Sequence, residues 1–172
     1  MTRQDVIFLS VLIATISIVA SAEDCQYKIS IQTGTRKNSG TDSIIGVMFA
    51  DKDGRYIEIN DLVSWGGTTP GLDYFENGDL DTFNGTERCL PNPVCFMKLF
   101  SDGSGHKPGW YAEYVKVTTS KKTGTTIDNQ QFTVEQWLAL SELPYQLSAE
   151  RNNSLPFCNQ DGPIQSLESM NL

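Results

Sequence analysis

Histidine is almost missing from this chain: its 172 residues hold one, His106. A multi-histidine iron centre is excluded, and without a C-x-x-C pair zinc has little to bind. Basic residues are scarce too, with 13 Lys and Arg against 21 Asp and Glu and a formal net charge of −8. Nucleic acid, whose phosphates need clusters of Lys and Arg, is therefore not an expected partner. Long apolar runs are equally few. The longest is Val6 to Ala20, preceded by a short segment carrying Arg3 and followed by Ala20-Ser21-Ala22. That is the layout of a secretory signal peptide cut after Ala22, and the run is short for a membrane span of about 20 residues.

The expected organisation is a leader over 1–22, one folded domain over 23–158, and a polar, aperiodic and disordered tail over 159–172. The terminal Glu168-Ser-Met-Asn-Leu172 is neither a KDEL-type signal nor a GPI tail. The mature chain is thus expected to be soluble, in the endoplasmic reticulum or exported to the cell exterior.

Four cysteines are present: Cys25, Cys89, Cys95 and Cys158. In an oxidising compartment this even count implies two disulfides, with three possible pairings. The Leu-Pro-Asn-Pro-Val turn suggests a local Cys89–Cys95 bridge, which would leave Cys25 and Cys158 to tie the ends of the domain. Asn84-Gly-Thr86 and Asn152-Asn-Ser154 are glycosylation acceptors consistent with that compartment.

The dominant periodicity is two. Tyr27, Ile29 and Ile31 alternate with polar residues, as in a strand with one buried face. Ser43 to Ala50 is apolar almost throughout and reads as a strand covered on both sides. Strands are also expected over Tyr56 to Asn60, near Leu80 to Asn84, and over Val94 to Ser101, Trp110 to Thr119, Gln130 to Leu138 and Tyr145 to Arg151. No sustained helical stripe with caps is found. About eight short strands with Gly, Pro and Asp turns mark an antiparallel sandwich or barrel. A Cys25–Cys158 bridge would make the first and last strands neighbours.

Asp51-Lys-Asp-Gly54 starts like an EF-hand loop, but Tyr56 and Leu62 stand where that loop needs Gly and Glu. It reads instead as a tight hairpin. Asp42 ends a different kind of segment, Thr33 to Asp42, whose Gly34 and Gly40 let carbonyl oxygens converge beside a carboxylate. Calcium takes six to eight such oxygens.

Thr33-Gly-Thr…Gly-Thr-Asp42, Tyr74-Phe-Glu-Asn-Gly-Asp-Leu-Asp81 and Gly109-Trp-Tyr-Ala-Glu-Tyr-Val115 together resemble the PLAT (lipoxygenase homology, LH2) domain, from Cys25 to about Asn153. The Cys89-to-Cys95 block and Gln136-Trp-Leu…Arg151-Asn-Asn look like the plant group of secreted single-domain PLAT proteins linked to stress responses. The resemblance implies an eight-stranded antiparallel β-sandwich of two four-stranded sheets that brings proteins to membranes or to other proteins. It also implies a calcium site: carbonyls near Asn38 and Gly40, the Asp42 carboxylate, Asp73 and Glu76. The chain departs from the pattern twice. Gly109 stands at a position that is acidic in calcium-binding relatives, with Asp102 as an unaligned substitute. Arg36 and Lys37 occupy the loop tip where membrane-inserting relatives carry aromatics, so membrane or partner contact there would be basic. The competing reading makes Asp42 a turn cap and pairs Glu76 with Arg36 or Lys37.

Trp110 and Trp137 lie within strands and are expected in the core. Trp65, in Ser64-Trp-Gly-Gly-Thr-Thr-Pro70, is either an exposed contact for membrane, partner or sugar or a lid folded onto the sandwich. A wall-carbohydrate binder using Trp65 is thus the alternative function. Ser104 and His106 share one loop and do not form a G-x-S-x-G elbow. No catalysis and no small-molecule substrate are expected.

Overall fold

The computed structural model describes residues 23–155 and Cys158. The expected leader and the 159–172 tail lie outside the described residues. Eight strands and one helical turn follow in order: β1 Asp24–Thr33, β2 Ile45–Asp51, β3 Tyr56–Ile59, α1 Leu62–Gly66, β4 Leu80–Arg88, β5 Val94–Ser101, β6 Trp110–Lys121, β7 Thr126–Leu138 and β8 Ser148–Asn152. They form two four-stranded sheets, ordered β4-β1-β6-β7 and β3-β2-β5-β8, with every pairing antiparallel. Among the described residues no helix is long and apolar enough to cross a membrane.

Period-two patterning fills the space between the sheets. Tyr27, Ile29 and Ile31 of β1 face Val47, Phe49, Met97 and Leu99 of the other layer in one buried cluster. Each such side chain contributes about 1.5–3 kcal/mol by leaving water. β2 is buried along almost its whole length, as its apolar run requires. Gly46 allows this, because a Cβ there would lie 2.3 Å from the Phe100 ring.

The disulfides pair differently from the local-turn expectation. Cys25 joins Cys89, and Cys95 joins Cys158. β1 pairs with β4 so that Cys25 lies opposite Glu87, which brings Cys89 alongside. β5 pairs with β8, Phe96 opposite Asn152, and the Asn153 amide donates to the Cys95 carbonyl. The Leu-Pro-Asn-Pro-Val turn passes from one sheet to the other, so its flanking cysteines serve different layers. First and last strands are consequently not neighbours, because β1 and β8 belong to different sheets.

Two smaller departures have local causes. Asp61 caps α1 by accepting the Ser64 amide, and this short turn lies on β4, where Gly67 bridges Phe83. One turn is too brief to show an apolar stripe in sequence. β8 begins at Ser148 rather than Tyr145, because Tyr145 takes a φ of 63° that no strand accepts. The Asp51 turn matches its reading: one carboxylate oxygen accepts the amides of Asp53 and Arg55, and Gly54 has a φ of 77°. At the β7–β8 corner Arg151 donates to the Thr133 carbonyl and to Gln136, stitching the edges of the two sheets together.

Candidate functional site

Strand directions bring four connections to one end of the sandwich: 34–44 between β1 and β2, 67–79 before β4, 102–109 between β5 and β6, and 139–147 between β7 and β8. There the carboxylates of Asp42, Asp73 and Glu76 each place an oxygen within 4.8 Å of the others. Asp42 and Asp73 are exposed and Glu76 is half-buried. Like charges at that separation repel by about 1 kcal/mol per pair even at the dielectric of water. Oε1 of Glu76 is buried and has no hydrogen-bond partner among the described residues. Three carboxylates held this close, one of which also has a buried oxygen without a partner, are an arrangement that a cation would relieve.

The backbone holds these acids together by close approach. Gly40 lies so near the acidic loop that a Cβ would sit 3.1 Å from the Asn77 nitrogen and the Phe75 oxygen. The Thr41 amide donates to the Phe75 carbonyl, and the Asp42 amide to Lys107. Asn77 ties the loops again, donating to the Arg36 carbonyl and to Ser39. Phe75 has a φ of 64°, which a bulky residue keeps only when held. Its ring packs 5.5 Å from Phe83 and 5.3 Å from Trp110, and its amide donates to Asp81 at 2.7 Å. Asp81 is itself buried, which pushes its carboxyl above the ordinary range against the pull of that hydrogen bond.

Of the residues singled out in the sequence, Asp42, Asp73 and Glu76 meet, and Asn38 and Gly40 lie in the adjoining loop. Among the described residues no hydrogen bond is directed at the carbonyls of Asn38 or Gly40 or at the Asp42 carboxylate. The turn-cap reading of Asp42 therefore fails. The Arg36 pairing with Glu76 fails as well, because the guanidinium stacks 4.1 Å from the centre of the Tyr111 ring. Lys37 is exposed and enters no ion pair among the described residues. Asp102 lies outside the triad; one oxygen of its carboxylate accepts the amides of Ser104 and Ile44, which hold it below the ordinary carboxylate range.

The tryptophans divide. Trp110 is fully buried and donates to Thr33. Trp137, expected in the core, is half-buried outside it and meets Tyr111 edge-on at 5.4 Å. Its neighbour Leu138 takes the core position instead. Trp65 lies on Gly85 and donates to Glu87, so its ring folds back against the first sheet. Asn84 and Asn152 are both exposed, on β4 and at the end of β8. Ser104 and His106 share no hydrogen bond among the described ones.

Sequence reasoning missed Tyr111 as the seat of Arg36 and Asp81 as the anchor of Phe75. Both lie inside motifs already quoted, but nothing in one dimension says which face they take.

Residues 27–148 match the PLAT/LH2 domain. The chain belongs to the PLAT/LH2 family. Among relatives in this family, PLAT domain-containing protein 2 of Arabidopsis thaliana is 51% identical over 159 residues, spanning 89% of this chain and 86% of that protein. PLAT domain-containing protein 1 of the same plant is 47% identical over 158 residues, 89% of this chain and 87% of its own length. Coral 8R-lipoxygenase shares the fold, with a TM-score of 0.55 at 19% identity over 84% of this chain and 19% of its own. The chain is thus a PLAT module of the kind found as a plant protein of similar length, and both relatives are named for the domain rather than for a reaction.

Proposed function

We propose that this chain is a non-catalytic docking module whose loop end binds calcium through Asp42, Asp73, Glu76 and the carbonyls of Asn38 and Gly40, and so controls attachment to a membrane surface or a partner protein. The observation that carries this reading is the buried, partnerless Oε1 of Glu76 within a triad of carboxylates. All the donors are oxygens, on loops of irregular geometry. That suits calcium, with its flexible shell of six to eight ligands, better than magnesium or zinc. A bound cation would supply charge neutralisation and cross-links between loops 34–44 and 67–79. The structure of coral 8R-lipoxygenase is described in terms of calcium activation through a C2-like domain, which fits a cation bound by this fold. Secretory-pathway residence fits the two disulfides, and the proposal extends to stress responses, the role of the plant group that the sequence resembles.

Isothermal calorimetry on the oxidised chain tests the reading, with Asp42→Ala and Glu76→Ala beside the wild type. Heat of calcium binding is expected from the wild type and should be lost or weakened at least tenfold in each variant. A flat wild-type trace would remove the calcium site. Sugar binding through Trp65 requires the indole to leave Gly85, so a polysaccharide pull-down unchanged by Trp65→Ala would dismiss that alternative.

A further inference from the structure

The outer face of the β4-β1-β6-β7 sheet has a chemistry unlike that of the rest of this acidic chain. Across its middle, Gln26, Lys28 and Ser30 of β1 stand opposite Thr86, Asn84 and Thr82 of β4. The β6 positions on the far side of β1 are two hydroxyls and Lys116. No carboxylate and no apolar side chain occupies these rows, although the chain carries 21 Asp and Glu. Neighbours bond along the face: Gln26 donates to Thr86 at 2.8 Å, and the Ser30 and Thr82 hydroxyls lie 3.1 Å apart. Asn84, in the middle row, is exposed, and its side chain enters no hydrogen bond among the described residues. Lys28 opposite it is exposed too and enters no ion pair among them.

Asn84 also opens Asn84-Gly85-Thr86, an acceptor sequence for N-linked sugar. The fold assigns each member of it a direction. Asn84 and Thr86 are two apart in a strand, so both side chains stand on the outer face. Gly85 faces the other way, where a Cβ would lie 2.4 Å from the Trp65 ring. The α1 turn closes the edge of β4: a Cβ at Gly66 would lie 2.8 Å from the Asn84 nitrogen, and Gly67 bridges Phe83. With interior and edge both filled, a group on Asn84 Nδ2 has the outer face as its open direction. It displaces no hydrogen bond of the described residues.

We propose that Asn84 carries an N-linked oligosaccharide whose first sugars lie over this face, against Lys28 and the flanking hydroxyls. This rests on the secretory-pathway reading above and not on the calcium site. The donor is an oligosaccharide held on a lipid diphosphate. Asn84 Nδ2 bonds to C1 of its first sugar, the lipid diphosphate leaves, and the amide gives up one proton. The resulting chain is bulky, polar and confined to the surface. Sugar hydroxyls both donate and accept, which matches the amide, hydroxyl and ammonium groups of the face. A sugar tethered at Asn84 meets them at an effective concentration on the order of millimolar, where weak hydrogen bonds suffice. Free sugar in solution has no such advantage.

Peptide mass spectrometry tests this on the full sequence expressed in plant cells and recovered with its disulfides intact. The Asn84 peptide is expected to gain the mass of a chain of hexose and N-acetylhexosamine. Asn84→Gln and Thr86→Val should each abolish that gain, and Asn152→Gln should leave it in place. Lys28 should be acetylated severalfold more slowly in the occupied protein than in Asn84→Gln, while exposed Lys37 on the 34–44 loop reacts equally in both. An unmodified Asn84 peptide in protein whose two disulfides have formed would overturn the site. Equal acetylation of Lys28 with and without the sugar would overturn its placement on the face. Protein recovered with four free thiols would remove the secretory reading, and the sugar with it.

Discussion

At one end of the sandwich the strands are joined by tight turns and by sulfur. Cys25–Cys89 and Cys95–Cys158 lie there, with the Asp51 hairpin and the Lys121–Thr126 turn, whose Gly124 has a φ of 86°. At the other end four longer connections pack on one another through backbone contacts, gather three carboxylates, and leave apolar side chains in water. Two acids show the contrast on a smaller scale. Asp51 satisfies two amides and an arginine in its turn, whereas Glu76 keeps an oxygen without a partner. One end is built to be finished within the chain. On the calcium reading proposed above, the other is completed by a bound ion.

Breaking the stapled end should give the largest effect. Replacing either cysteine pair by serine opens a crosslink between residues 64 or 63 apart in sequence, and should cost about 2–5 kcal/mol in denaturant unfolding. Calcium uptake by the remaining folded fraction should persist. If it vanished, the two ends would not be independent.

Asp51→Ala removes the acceptor of two partly buried turn amides, for an expected loss of about 1–3 kcal/mol over the two bonds. The heat of calcium binding should be unchanged, since the turn lies at the far end. A loss of calcium affinity would contradict the division drawn above.

Asp81 sharpens the comparison through pH. Burial raises its folded-state pKa above the ordinary 3.8, so the folded protein holds this proton more tightly than the unfolded chain does. Its contribution to stability is therefore greatest in acid and declines as the pH rises through the raised pKa. Asp81→Asn keeps an acceptor for the Phe75 amide and removes the titration. The stability of wild type minus that of Asp81→Asn should fall from acid to neutral pH. A difference that stays level across this range would show that Asp81 is not perturbed. The smallest shift is expected for Leu140→Ser/Leu143→Ser/Tyr145→Ser, within about 0.5 kcal/mol of wild type in denaturant, because these side chains stand mostly in water.

The strands were legible because alternation is local: Tyr27, Ile29 and Ile31 declare a one-sided strand without reference to any neighbour. Asp51 was legible for the same reason, its partners lying two and four residues away. Trp137 and the cysteines were not. Trp137 turned outward because Leu138 filled the core position, a choice made by the register with β6. The local bridge between Cys89 and Cys95 was plausible along the chain, but it required both to serve one sheet.

The sequence by itself determined that the domain is all-β, acidic and poor in metal-binding histidine, because composition and period-two patterning act residue by residue. Tertiary structure alone decided which cysteines join, that Arg36 leaves Glu76 for Tyr111, and that Asp42, Asp73 and Glu76 converge. These depend on distances between segments far apart in the chain, and such distances exist only once two sheets have packed.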